Sequence, residues 1–174
     1  MSLAAGSAGL RCTLQRLPAA RMVEFVFFDS SGGARAADTL PLPGGARRAA
    51  NGDPAILHFA PGRYLLPDPG PELAAWMAAA AAQGTGAAVE VEGKWAALRL
   101  SGPDAAGLLS SSLDVATVLE SRDCAAVTLF DCPAVIAAAA TGYLVYIKAS
   151  YVADFSAAIE RLHAWRQAPS LGVV

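Results

Sequence analysis

Chemistry needs side chains that carry a proton, a metal or a charge at a workable spacing, and in this chain they are few. The two histidines are His58, inside Ala55-Ile-Leu-His-Phe59, and His163, near the end of a helical pattern. His58 alternates with Leu57 and Phe59 and so reads as a strand residue with a hydrogen-bonded ring, while His163 suits the negative end of a helix dipole. Neither stands near a Ser, Cys, Asp or Glu at a spacing that defines a nucleophile and its base. Ser110-Ser-Ser112 lacks the Gly-x-Ser-x-Gly setting of a nucleophile elbow and reads as a helix end. Cys12, Cys124 and Cys132 are an odd set with no Cys-x-x-Cys and no histidine beside them, which argues against zinc and against a disulfide framework. They read as small buried thiols in a reducing compartment. Gly84-Thr-Gly86 is missing the third glycine and the preceding strand of a dinucleotide loop, and Pro43-Gly-Gly45 has no Lys-Ser/Thr after it. Glu90 and Glu92 share a strand face, with Lys94 beyond a glycine, as a solvated charged edge. The expectation is a chain with no catalytic residues and no metal.

The elements that would position these groups begin with Val89–Ser112. Ala96, Leu98 and Leu100 repeat every second residue while Arg99 points the other way, as in a half-buried strand; Trp95 reads as core. After Leu100 the period changes. Ser101 or Gly102 can cap a helix, Pro103 suits its first position and Asp104 faces the positive end of its dipole, so a helix is expected over Gly102–Ser112. Its free N–H groups could hold an anion, but Asp104 would repel one.

Elsewhere, Arg21–Asp29 is the most strand-like part of the first half, with Val23, Phe25 and Phe27 on one face and Glu24, Val26 and Phe28 on the other. Both faces are largely apolar, so such a strand is covered twice or meets a partner. Ser30–Asp53 reads as a long loop, of a length uncommon in a compact domain, so it is either mobile or ordered by a partner. Ala55–Phe59 and Arg63–Leu66 form a hairpin around Ala-Pro-Gly, and Pro71–Gln83 a helix with Leu73, Trp76, Met77 and Ala80 inward, ended by Gly84. Leu113–Leu119 is a short piece. Cys124–Phe130, Pro133–Ala138 and Gly142–Ala149 follow as an antiparallel meander, turned by Asp131-Cys-Pro133 and Ala140-Thr-Gly142. Ser150 caps a last helix to about Trp165, with Val152, Phe155, Ile159 and Leu162 inward. Each half opens on a strong strand and ends strand then helix. The fold class expected is therefore α+β, two pseudo-repeated units of antiparallel strands with packed helices, about 11–86 and 87–166, sharing one core. Residues 1–10 read as a disordered leader and 167–174 as a tail.

Composition narrows the partners. Forty alanines inflate the 55% hydrophobic content. With net charge −2, two lysines and Arg47-Arg48 as the one basic pair, read as a solvated loop, there is no concentrated basic face for nucleic acid. The longest apolar run, Leu73–Ala82, is too short to span a bilayer, and no secretory signal is visible, so no membrane partner and a cytoplasmic location are expected.

Lys94-Trp-Ala-Ala-Leu-Arg-Leu-Ser-Gly-Pro-Asp-Ala-Ala-Gly-Leu-Leu109, then Ser112-Leu-Asp-Val115, Cys124–Asp131 and Gly142–Trp165, resembles the gamma subunit family of heterotetrameric sarcosine oxidase. More distantly the same stretch is similar to the folate-binding fold of the glycine-cleavage aminomethyltransferases. The resemblance runs over about Glu90–Trp165, with weaker support from Arg63–Gly84. It implies a non-catalytic accessory subunit that assembles with alpha, beta and delta subunits. FAD, FMN, NAD and tetrahydrofolate would then lie in those partners, with no cofactor in this chain. Where the aminomethyltransferases carry glycines and paired acids, Phe130-Asp-Cys-Pro-Ala134 offers one acid, so folate turnover by this chain alone is not expected. The alternative is a stand-alone folate or small-molecule binding protein with a pocket between the repeats. As an assembly subunit, the isolated chain would expose apolar surface and self-associate.

Overall fold

A computed structural model describes residues 11–18, 21–28, 53, 55–120 and 123–167. The leader, the Ser30–Asp53 loop except for Asp53, Arg47-Arg48, Pro43-Gly-Gly45 and the tail beyond Gln167 lie outside the described residues. The strands are β1 (Thr13–Arg16), β2 (Met22–Phe27), β3 (Leu57–Ala60), β4 (Arg63–Pro67), β5 (Gly86–Glu90), β6 (Trp95–Ser101), β7 (Cys124–Leu129), β8 (Cys132–Ala139) and β9 (Gly142–Lys148). The helices are α1 (Pro71–Ala82), α2 (Ala105–Leu109), α3 (Val115–Leu119) and α4 (Val152–Gln167).

The architecture is mixed α+β, with two antiparallel sheets ordered β1-β6-β9-β8-β7 and β3-β4-β2-β5. Period-2 alternation sends successive side chains to opposite faces, and the core divides accordingly. Ala96, Leu98 and Leu100 of β6, Val145 and Ile147 of β9 and Ile136 of β8 pack with Leu108, Leu109, Phe155 and Ile159 of the helices. Their neighbours Trp95, Ala97, Val135, Ala137, Leu144 and Tyr146 turn the other way and meet Met22, Leu57 and Leu65 of the second sheet. On that sheet's far face Val23, Phe25, Phe27 and Leu66 pack on Leu73, Trp76, Met77 and Ala80 of α1. The layers therefore run helices, sheet, sheet, helix. Phe25 is fully buried, 4.9 Å from the Trp76 ring and 5.0 Å from Phe27.

Two edge strands are exchanged along the chain. β1 pairs with β6 (Thr13↔Ser101 to Arg16↔Leu98), whereas β5 pairs back with β2 (Val23↔Glu90 to Phe27↔Gly86). At the other end of the β1–β6 pair the approach is tight: a Cβ on Gly102, at φ +112°, would lie 2.2 Å from the Arg11 carbonyl oxygen.

The expected helix over Gly102–Ser112 is shorter, Ala105–Leu109, because residues 101–104 are spent closing the end of β6 against the start of β1. Ser150 lies inside a 3-10 turn, Ala149–Tyr151, ahead of α4 and does not cap it. The β7–β8 turn falls at Phe130-Asp131, both at positive φ (50° and 64°), which carries the twist a two-residue hairpin needs. Pro133 sits inside β8 opposite Thr128, one step from the strand's start, where a missing N–H is tolerated. The end of α1 is as expected: Gly84 adopts φ +67°, with Gly84 N–H on Ala81 O and Thr85 N–H on Ala80 O.

Candidate functional site

Among the described residues a dense set of polar groups lies around Glu24, the one acid in an otherwise apolar β2. Alternation turns Val23, Phe25 and Phe27 toward α1, so Glu24 must point at the other sheet, where it is 4% exposed. Burying a carboxylate is costly unless it is paired and hydrogen-bonded. Here its Oε1 accepts from Trp95 Nε1 at 2.7 Å, Lys94 Nζ at 2.8 Å and Lys148 Nζ at 3.4 Å, and its Oε2 from Arg63 at 3.2 Å. Burial works to raise the Glu24 pKa, but the hydrogen bonds from Lys94 and Trp95 and the charges of Lys148 and Lys94 outweigh it and hold the group at about 2. Lys148 also lies 3.5 Å above the Trp95 ring centroid, and Arg63 5.2 Å above that of Phe59.

A second ion pair on the inner face joins Arg99 of β6 to the buried Asp53, and Arg99 also donates to Thr141 Oγ1 at 3.4 Å. Nearby, burial pushes the Tyr146 hydroxyl up to about 12, with the Asp53 charge adding to the effect. Burial likewise raises the thiols of Cys124 and Cys132. Glu24 is thus locked ionised and Tyr146 locked protonated. Neither the thiols nor these groups are tuned toward the neutral range where proton transfer is efficient.

The residues singled out in the sequence resolve into structural roles. His58 is exposed on β3 with its ring 5.0 Å from Tyr64, so a ring contact accompanies it. Its backbone N–H donates to Cys124 Sγ at 3.2 Å and its carbonyl accepts from that thiol at 3.6 Å, joining β3 to β7. His163 lies on α4. Ser110 Oγ donates to Ala106 O, and Ser112 Oγ accepts from Phe130 N–H at 2.9 Å, fastening the end of α2 to the β7–β8 turn. Asp104 accepts from Arg11 N–H at 2.6 Å, which ties the α2 start to β1. Thr85 Oγ1 donates to Ala80 O, so Gly84-Thr-Gly86 ends α1 and starts β5. Glu90 pairs with Arg21 at 2.5 Å, while Glu92 sits exposed in the turn after β5; the two do not form one charged edge, because the chain turns between them and Lys94 swings in to Glu24. Among the described residues, no group of three His, Cys, Asp or Glu could hold a metal ion.

Sequence reasoning placed Glu24 on the right face but missed its partners. An acid inside Met-Val-Glu-Phe-Val-Phe is itself a signal, since a buried charge requires a counter-charge somewhere in the fold.

Some large apolar side chains are exposed among the described residues. Phe28 donates its N–H to Thr85 O beside β5, and alternation puts it on the same sheet face as Glu24 and Val89. Phe28 is 68% and Val89 53% exposed. Trp165, 73% exposed, borders a groove of about 370 Å³ with Phe130, Asp131, Arg161 and Leu162.

The fold and these groups define an α+β chain built on two facing antiparallel sheets, stabilised by buried ion pairs and carrying exposed apolar residues at its margin. No family model matches the sequence, and no curated protein does. A chain of the heterotetrameric sarcosine oxidase from Corynebacterium sp. U-96, solved in complex with pyrrole 2-carboxylate, has the same fold: TM-score 0.65 at 19% identity, covering 92% of this chain and 87% of that one. No helix among the described residues is long and apolar enough to cross a membrane.

Proposed function

We propose that this chain is the gamma-type, non-catalytic subunit of a sarcosine-oxidase-like flavoenzyme that demethylates an N-methyl amine oxidatively with tetrahydrofolate as one-carbon acceptor. The observation that carries this reading is the fold likeness over nearly the full length of both chains. Two features support it. Glu24 and Tyr146, buried between the sheets, are held well away from neutrality, as befits a scaffold. Phe28 and Val89 offer apolar surface at a sheet margin, the kind of patch that a partner covers. In this reading alpha, beta and delta subunits are the partners, they hold FAD, FMN, NAD and the folate, and the complex is cytoplasmic.

The pseudo-repeat belongs to the same proposal. β2, β4 and β3 lie side by side with α1 after β4, and β6, β9 and β8 lie side by side with α4 after β9. This correspondence supports two related units of the aminomethyltransferase-like kind, each completed by the other's edge strand. A stand-alone folate binder needs a pocket between the units, and Met22, Leu57, Leu65, Leu144 and Tyr146 fill that layer, which favours the scaffold.

The test is to tag the chain in its native cells, purify it gently and record both its partners and the visible spectrum. Flavin bands with stoichiometric partner chains are expected. A colourless protein eluting alone overturns the proposal. Phe28→Ser combined with Val89→Ser is expected to weaken co-purification while leaving the fold intact, because both side chains are exposed.

A further inference from the structure

The cluster around Glu24 holds more positive charge than its carboxylate needs. Arg63, Lys94 and Lys148 all converge on it, leaving a surplus of two positive charges among the described residues, in a chain whose formal net charge is −2. The chain has two lysines, and both are here. Glu90, the neighbouring acid on β5, is taken by Arg21.

The donors are also under-used. An ammonium offers three N–H groups and a guanidinium five. Glu24 takes one bond from each cation, and its Oε1 is already crowded by Lys94, Lys148 and Trp95. The remaining donors face outward: the side chains of Arg63, Lys94 and Lys148 are 46%, 47% and 32% exposed, against 5% for Glu24. The carboxylate forms the floor and the cations the rim.

The rim is held in place before anything binds. Arg63 lies over Phe59, Lys148 over Trp95, and the Phe59 and Trp95 rings meet edge to face at 5.7 Å. Fixing long side chains in advance removes much of the ordering cost of binding. Burial lowers the Lys148 pKa although Glu24 acts to raise it, and the like charges of Lys94 and Arg63 add to the lowering.

We propose that Arg63, Lys94 and Lys148 form a binding site for a small polyanion bearing oxyanion groups, of the phosphate, pyrophosphate or dicarboxylate kind. A dianion neutralises the surplus, and a planar guanidinium can grip one such group with two parallel hydrogen bonds. The site stands on this cluster alone and does not depend on the assembly role proposed above.

The test is a titration of the full chain with inorganic pyrophosphate at constant ionic strength, followed by nitrogen–proton correlation NMR. The Trp95 indole N–H, bonded to Glu24 at the floor, and the Lys94 and Lys148 amides are expected to shift saturably, while the indoles of Trp76 and Trp165 stay in place. Lys94→Gln, at a half-exposed position, is expected to weaken binding about tenfold, the effect of losing one charge-assisted hydrogen bond. No saturable shift, shifts centred elsewhere, or unchanged affinity in folded Lys94→Gln would overturn the proposal. A response to a poly-glutamate peptide but not to pyrophosphate or malonate also overturns it, assigning the patch to a protein carboxylate. The wild-type titration decides the matter even if the variant fails to fold.

Discussion

Replacing Glu24 by Gln removes the charge at the centre of the inter-sheet cluster while keeping an amide oxygen that can still accept from Trp95. A carboxyl held from 4.5 down to about 2 stabilises the folded state by about 3 kcal/mol at neutral pH. Because the folded pKa is depressed, that contribution is complete above pH 4.5 and is lost as the pH falls from there through about 2. Glu24→Gln forfeits it at every pH. The orphaned cations are partly exposed and recover water, so the cost stays near about 3 kcal/mol and does not reach the upper range seen when a fully buried pair is broken. Urea unfolding at pH 7 and at steps from pH 5 to pH 2 reads both effects. The wild type should exceed the variant by about 3 kcal/mol at pH 7 with the same denaturant slope, and the two curves should converge toward pH 2. A variant within about 0.5 kcal/mol of the wild type at pH 7, or one with the same acid dependence, would refute the assignment of Glu24 as the ionised anchor between the sheets.

Arg99→Leu leaves the buried Asp53 without its guanidinium and should cost about 3 kcal/mol, read by urea unfolding; a loss under about 1 kcal/mol would show that the pair is not buried in solution. Gly86→Ala places a Cβ 2.6 Å from the Phe25 ring and 2.7 Å from the Val26 carbonyl, whereas Gly84→Ala meets open space at φ +67°. The first should therefore destabilise by about 2 kcal/mol or more and the second by about 1 kcal/mol, and thermal melts in the reverse order would contradict the packing of β5 on β2. Burial raises the Cys124 and Cys132 thiols and Cys12 is buried, so at pH 8 a thiol reagent should label the folded chain far more slowly than the urea-unfolded chain; equal rates would contradict that burial.

What was legible in the sequence were the elements that bury large side chains. β2 and β9, rich in Val, Phe, Tyr and Ile, and α1, with Trp76 and Met77 on one stripe, carry their period openly. β1 and β5 did not. Thr-Leu-Gln-Arg and Gly-Ala-Ala-Val-Glu are short and have little intrinsic strand preference, so they become strands by pairing with β6 and β2. The β7–β8 turn was misplaced because Pro133 looks like a breaker while Phe130 and Asp131 do not advertise a left-handed backbone. For the site, Glu24 announced itself as an acid in an apolar strand, yet its partners lie between 39 and 124 residues away, beyond any local pattern.

The exchange of edge strands bears on how the molecule is made. β1 finds its register only against β6, roughly 90 residues later, so at a synthesis rate of about 5–20 residues per second its edge waits unpaired for about 5–18 seconds. Through that interval the nascent first half is an open sheet, vulnerable to pairing with other chains. Closure then requires the loop to form before any contact rewards it, which makes folding slow for a chain of this size. Once both edges are seated, neither half can open without stripping a strand from the other, and the two sheets unfold as one cooperative unit.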